Sequence, residues 1–211
     1  MVIGWETLSA YGIPVAQHLR AENLSQAQAF ASSLGGTAVC LKADTNKHKA
    51  ANGLVFVGAT AGVSLNSAWR KLEENSGLQG LGPPFLIQEL VPPGPELFAG
   101  VINDPDFGLV IVAGLGGRLV EAIGRRTLRV LPITKEDSVA MVAELSLENL
   151  KLPESVASFS DALFKLSTLV FDHPEIDQLD LNPIILGQNS ITVVDLRVIL
   201  RNTKLNKPKS N

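Results

Sequence analysis

Asp180-Leu181-Asn182-Pro183 and Val194-Asp195-Leu196-Arg197 are two alternating segments joined through the polar loop Gly187-Gln188-Asn189-Ser190. Strand-like runs flanking so short a loop predict an antiparallel hairpin. Pairing symmetric about the loop sets Asn182 opposite Asp195 and Asp180 opposite Arg197. Leu179, Leu181, Ile185, Val194, Leu196 and Val198 then share one face, and Asp180, Asn182, Asp195 and Arg197 share the other. Directly opposed residues bring their Cβ atoms to about 4.5–5.5 Å, within reach of one shared cation. An amide oxygen beside a carboxylate suits Mg²⁺, which takes one or two carboxylates and completes its shell with water and phosphate oxygens. From these residues alone a hairpin whose polar face meets only solvent is the more ordinary reading, and a one-residue bulge would part the pair.

Other residues offer the complementary chemistry. Lys42 ends the apolar run Thr37–Leu41 and is either a point charge for phosphate oxygens or a solvated strand-end lysine. His48-Lys49 opens a segment reaching Gly53, and unpaired backbone N–H groups with positive charge favour anions. Phe85–Val91 is an apolar strand ending in Gln88-Glu89 before Pro92-Pro93-Gly94-Pro95-Glu96. Backbone groups of Leu90 and Val91 could pair with a base edge, and Glu96 could bond ribose hydroxyls. Without context this is also a strand with a polar end. Gly114-Leu115-Gly116-Gly117 lacks the third glycine and the helix of a dinucleotide fingerprint, since residue 119 is Leu, and it reads as a tight β-turn.

The elements that must position these residues follow from periodicity. Helices are expected near Trp5–Tyr11, at Leu24–Leu34 behind an Asn23 cap, and at Val63–Leu72, Lys135–Leu145 and Glu154–Asp172. Strands are expected at Ile13–Leu19, Thr37–Lys42, Leu54–Gly58, Phe85–Val91, Leu97–Ile102, Gly108–Val112, Leu119–Ile123 and Thr127–Leu131, followed by the hairpin. The order predicts an α+β protein with two sheets. The Gly/Ser-rich stretch 75–82 marks the boundary between a lobe at 1–82 and another at 83–200, with 201–211 a disordered basic tail. At 211 residues, 45% hydrophobic and with net charge −3, the chain has the composition of a soluble protein with no basic excess for nucleic acid. Its longest apolar stretch, Leu109–Leu115, is too short to span a bilayer, and residues 1–20 do not form a signal-peptide pattern. Cys40 is the only cysteine, which fits cytoplasmic residence.

In order and spacing, these segments resemble the ATP-grasp domain of the ADP-forming acyl-CoA (acetyl-CoA) synthetase β subunits, relatives of succinyl-CoA synthetase β. The resemblance rests on His48-Lys49 with Gly53, Glu96-x-x-x-Gly100 followed by Asp106-Phe107-Gly108, Gly114-Leu115-Gly116-Gly117 with Glu121, and Pro174-Glu175-Ile176 leading to Asp180-Leu181-Asn182-Pro183. It runs from about Leu8 to Val198. It implies two α+β lobes clasping ATP or ADP, with adenine near Gln88, Glu89, Leu90 and Val91, and ribose near Glu96. Lys42 and the Gly53 loop would meet phosphates, and Asn182 and Asp195 would hold Mg²⁺.

The resemblance further implies the reaction acyl-CoA + ADP + phosphate ⇌ acid + CoA + ATP. A phosphohistidine on a separate CoA-binding and ligase unit would carry the phosphoryl group, relayed by His48, and the assembly would be a hetero-oligomer. This half would supply positioning and charge neutralisation. The sequence departs from the family pattern at Ala51, Leu54, Leu109, Arg125 and Gln178, and lacks a Gly-x-Arg-Gly element across Ser146–Pro153. Those departures leave a second reading in place: a diverged, non-catalytic module that binds nucleotide and regulates a partner acyltransferase or synthetase.

Overall fold

A computed structural model of the chain describes residues 3–43, 53–117 and 124–201. Its contacts divide the chain into two units, one formed by residues 16–92 and the other by residues 1–15 with 93–211.

In the 16–92 unit, strands β1 (His18–Ala21), β2 (Val39–Ala43), β3 (Val55–Ala59) and β4 (Phe85–Glu89) form an antiparallel sheet in the order β1-β4-β2-β3. Helices α2 (Leu24–Ser33) and α3 (Val63–Gly77) pack against it. The Asn23 side chain accepts from the Gln26 N–H at 3.0 Å, which fixes where α2 starts. Leu65, Ala68, Trp69 and Leu72 recur at helical spacing on α3 and join Leu41, Phe85 and Ile87 in the core. Trp69 meets Phe85 edge to face, with ring centroids 5.0 Å apart.

The expected lobe boundary at 82/83 is corrected by this sheet. The Gly/Ser-rich stretch is the connection from α3 to β4, and β4 lies between β1 and β2, so a cut there would remove the unit's central strand. The expected strand at Ile13–Leu19 begins only at His18, with Val15 making an isolated bridge to Val193 in the other unit's own sheet.

That other unit begins with α1 (Trp5–Ala10). Its antiparallel sheet is built from β5 (Glu96–Asp104), β6 (Gly108–Leu115), β7 (Arg126–Val130), β8 (Ile176–Leu186), β9 (Ile191–Val193) and β10 (Leu196–Leu200). The order is β10-β8-β5-β6-β7, with β9 also on β8. Helices α4 (Lys135–Glu144) and α5 (Pro153–Asp172) pack together, α4 beside β7 and α5 beside β8 and β9. The Thr134 N–H and hydroxyl both donate to the Asp137 carboxylate, starting α4 and holding that carboxyl below its ordinary pKa. Leu97, Ala99 and Val101 of β5, Ile111 and Ala113 of β6, and Leu179 and Leu181 of β8 are buried on one side of the sheet.

The strand expected at Leu119–Ile123, Glu121 and the tail beyond Arg201 lie outside the described residues. No helix among the described residues is long and apolar enough to cross a membrane.

Trp69 and Phe85 are 2% and 0% exposed and carry the contact between α3 and β4. Phe85→Ala is expected to cost about 3–5 kcal/mol of stability through lost burial and a residual cavity. Equilibrium urea unfolding followed by circular dichroism checks this as a lowered midpoint.

Candidate functional site

The closing hairpin has the register expected from its loop. Ile184 pairs with Val193 and Leu186 with Ile191 across the turn, and beyond it Leu181 pairs with Leu196 and Asp180 with Arg197. Between these pairs the Asn182 N–H donates to the Asp195 carbonyl at 3.2 Å, so the two residues face each other with no bulge between them. Leu179 and Leu181 are buried while Asp180 and Asn182 are exposed, and Asp195 is half-buried. Alternation therefore carries the polar side chains to the face opposite the core. Among the described residues no three His, Cys, Asp or Glu side chains gather into a ready cation cage. One amide and one carboxylate on neighbouring strands fit Mg²⁺, a cation that leaves most of its shell to water and phosphate.

The same face carries a second feature. Phe98, Gly100, Ile102, Gln178, Asp180 and Arg197 line a depression of about 300 Å³. Gly100 lies opposite Asp180 on β5, where a Cβ would sit 3.0 Å from the Leu179 carbonyl oxygen and 3.6 Å from Asp180 Oδ1. The missing side chain thus keeps room beside the Asp180 carboxyl. Although Asp180 as a residue is exposed, its carboxyl is shielded enough to raise its pKa above the ordinary value. The cause is mainly desolvation, opposed by the charge of Arg197 and reinforced by that of Asp195.

Glu96 opens β5, and its carbonyl accepts from the Gly116 N–H at 2.6 Å. A Cβ on Gly116 would approach the Glu96 backbone to 3.0 Å, and one on Gly117, at φ +83°, would lie 3.2 Å from Glu96 Oε2. Gly114 and Leu115 therefore end β6, and Gly116-Gly117 pass close over Glu96, a close approach that glycine permits. The rest of the β-turn expected at this run falls at residues 118–123, outside the described residues.

In the 16–92 unit, Lys42 is 5% exposed and pairs with Leu86 on β4 and Val55 on β3. It is a buried cation, not a solvated strand end. Gln88 lies opposite Cys40 and His18, is 1% exposed, and its Nε2 has no hydrogen-bond partner among the described residues. The Glu89 carboxylate accepts from the backbone N–H of Gln17 at 2.9 Å and from Gln17 Nε2 at 3.2 Å, so its side chain ties β4 to the segment before β1. The Leu90 N–H is spent on the Ala38 carbonyl at 2.9 Å. Among the described hydrogen bonds, the Leu90 carbonyl and the Val91 N–H are unused. The Gly53 carbonyl accepts from Asn75 Nδ2 at 2.9 Å, anchoring the end of its loop to α3. Leu54, where the family pattern has glycine, is wholly buried in the core. His48, Lys49 and Ala51 lie outside the described residues.

Three features escaped sequence reasoning: the burial of Lys42, the use of the Glu89 side chain by Gln17, and the crowding of Asp180 beside Gly100. Only the last had a visible cue, the opposition of charged residues across the hairpin. An acid whose pKa rises on folding holds its proton more tightly folded than unfolded, so stability falls as pH rises through the raised value. Asp180→Asn is therefore expected to raise the melting temperature at neutral pH. The gain should vanish below about pH 3.9, the ordinary aspartate value, as checked by thermal melts across pH.

A family model for the ATP-grasp domain matches residues 4–200. The chain is 31% identical over 209 residues to the β subunit of acetate–CoA ligase (ADP-forming) I of Pyrococcus furiosus, covering 92% of this chain and 88% of that subunit. Against acetate–CoA ligase (ADP-forming) I of Archaeoglobus fulgidus it is 32% identical, over 93% of this chain and 30% of that longer protein. Acetyl-coenzyme A synthetase 1 of Ca. Korarchaeum cryptofilum, solved with coenzyme A and Ca-AMPCP, superposes with a TM-score of 0.83 at 33% identity, covering 93% of this chain and 90% of that one. A form with coenzyme A and Mg-AMPPCP, its phosphohistidine segment pointing towards the nucleotide site, gives 0.75 at 33% identity over 92% and 88%. A family match across nearly the whole sequence, on a scaffold that presents an amide and a carboxylate side by side from its last hairpin, makes this chain a member of the ATP-grasp domain family, alongside the β subunits of ADP-forming acetate–CoA ligases.

Proposed function

We propose that the chain is the nucleotide-binding subunit or domain of an ADP-forming acyl-CoA synthetase. The observation that carries this reading is the hairpin register, which sets Asn182 and Asp195 against each other on the face shared with Asp180 and Arg197. Asn182 Oδ1 and the Asp195 carboxylate would hold Mg²⁺, which when bound neutralises charge on the nucleotide phosphates. Lys42 would offer a nucleotide phosphate a buried positive charge, stronger there than in water because solvent screens it less. The Leu90 carbonyl would accept from the adenine amino group; guanine carries an acceptor oxygen at that position and does not match it. Glu96, braced by Gly116 and Gly117, is left for the ribose hydroxyls.

The phosphoryl group passes between ADP and a phosphohistidine on a CoA-binding and ligase unit, with His48 as the relay. That unit is a separate α subunit or another part of a longer polypeptide, so the active species is a hetero-oligomer or a fused chain. The longer Archaeoglobus relative, of which this chain covers 30%, and the Pyrococcus β subunit, of which it covers 88%, support either arrangement. Cytoplasmic residence follows from the substrates of this reaction.

A second reading is favoured by Leu54, a core residue where the family pattern has a phosphate-loop glycine. In it the chain binds nucleotide without transferring phosphate and regulates a partner acyltransferase or synthetase.

Titration calorimetry with Mg·ATP is expected to give binding that Asp195→Ala weakens on the order of tenfold or more, the scale of a lost charged contact. Unchanged affinity in that variant would remove the metal pair. In an assay reconstituted with the partner unit, acyl-CoA-dependent ATP formation is expected and His48→Asn abolishes it. Nucleotide binding without any transfer would instead establish the regulatory reading.

A further inference from the structure

The loop that closes the last hairpin is held from outside. Within Gly187-Gln188-Asn189-Ser190, the Gly187 N–H donates to the Ser190 carbonyl at 2.9 Å, the only described backbone bond closing the turn. Gly187, Gln188 and Asn189 are exposed. The first turns of α5 supply the rest. Ser155 is wholly buried, and its hydroxyl donates jointly to the Gly187 carbonyl at 2.7 Å and the Ser190 carbonyl at 3.1 Å. One turn later, Ser158 Oγ lies 3.1 Å from Ser190 Oγ and accepts from the Ile191 N–H at 3.4 Å. Both ends of the loop are thereby fastened to one helix. Serines elsewhere behave differently: Ser9 and Ser67 spend their hydroxyls on a carbonyl of their own helix, a common local choice.

This fastening bears on register. The apolar face opposes a slip of one residue, but a slip of two returns every side chain to its own face, and alternation does not resist it. Such a slip moves one strand along the other by about 6.8 Å and sets Asp195 against a residue other than Asn182. β9 is three residues long, so its own ladder opposes that movement weakly. From Ile191 the chain runs directly through Thr192, Val193 and Val194 to Asp195. Where β9 starts therefore decides where that carboxylate arrives. We propose that Ser155 is a positioning residue for the metal pair: its buried hydroxyl sets the start of β9 and so holds Asp195 opposite Asn182. Ser158 is the second fastening. The inference rests on the nucleotide-binding reading proposed above, and adds to it a requirement on a side chain too buried to touch metal or nucleotide itself.

The test measures ATP affinity by titration calorimetry, with Mg²⁺ and with EDTA in its place. It compares the full chain with Ser155→Ala, alone and combined with Asp195→Ala. Ser155→Ala is expected to weaken Mg·ATP about three- to tenfold, the scale of one net hydrogen bond, and to leave metal-free ATP unchanged. Added to Asp195→Ala it should cost nothing more, because the carboxylate it positions is gone. A role in stability alone would weaken both forms of the nucleotide equally and in both backgrounds. That result would overturn the assignment, as would an unchanged Mg·ATP affinity. Ser158→Ala, at a half-buried site, should shift the same ratio in the same direction. It carries the test if Ser155→Ala does not fold, and an unmoved ratio then overturns the proposal. Absence of nucleotide binding by the native chain would instead remove the reading beneath it, and the inference with it.

Discussion

Antiparallel pairing of β8 with β10 is the constraint on which the candidate site depends. Side chains alternate across a strand, so one residue of slip would turn Asp180 and Asn182 into the core and Leu179 and Leu181 out of it. Burying two such polar groups without partners would cost several kcal/mol, and the hydrophobic face therefore fixes the register more firmly than the polar residues could. The geometry proposed to hold a metal is in this sense a by-product of packing. Leu179 and Leu181 are held in place by β5 on one side and β10 on the other, and the polar pair is presented as a consequence.

The same logic governs the other unit with a different outcome. There, alternation along β2 and β4 sends Lys42 and Gln88 to one face, yet both are buried. An amide left unpaired in such a position raises the free energy of the fold. Glu89 illustrates the contrast. It lies next to Gln88, but its carboxylate is fully committed to Gln17 and serves the sheet.

Much of this was legible in the chain. The caps of α2 and α4 and the symmetric hairpin all follow from local rules, because each is set by residues within a few positions of one another. What was not legible was non-local. The Gly/Ser-rich stretch before Pro83 has the composition of a linker, but β4 pairs with β1 and β2, and nothing near residue 82 reveals that partnership. Lys42 ends an apolar run, which says nothing about whether neighbouring strands enclose it. The glycines of 114–117 announce that a side chain is unwelcome, and only the fold reveals that Phe98 and Glu96 are the reason. For the site itself, the hairpin half could be derived from alternation alone, whereas the roles of residues 88–91 depend on which backbone groups the sheet has already consumed.

Residues 1–15 belong to the same unit as residues 93–211, with 16–92 placed between them in sequence. A ribosome delivers the intervening unit whole, with all four of its strands, while β8, the strand between β10 and β5, has yet to be made. The earliest-synthesised segment must then wait for some of the latest, since the Pro14 carbonyl receives the Val193 N–H. Domains form as units during synthesis, so the order of emergence separates two kinds of truncation. Loss of a C-terminal portion spares the interposed sheet and leaves its host without a spine.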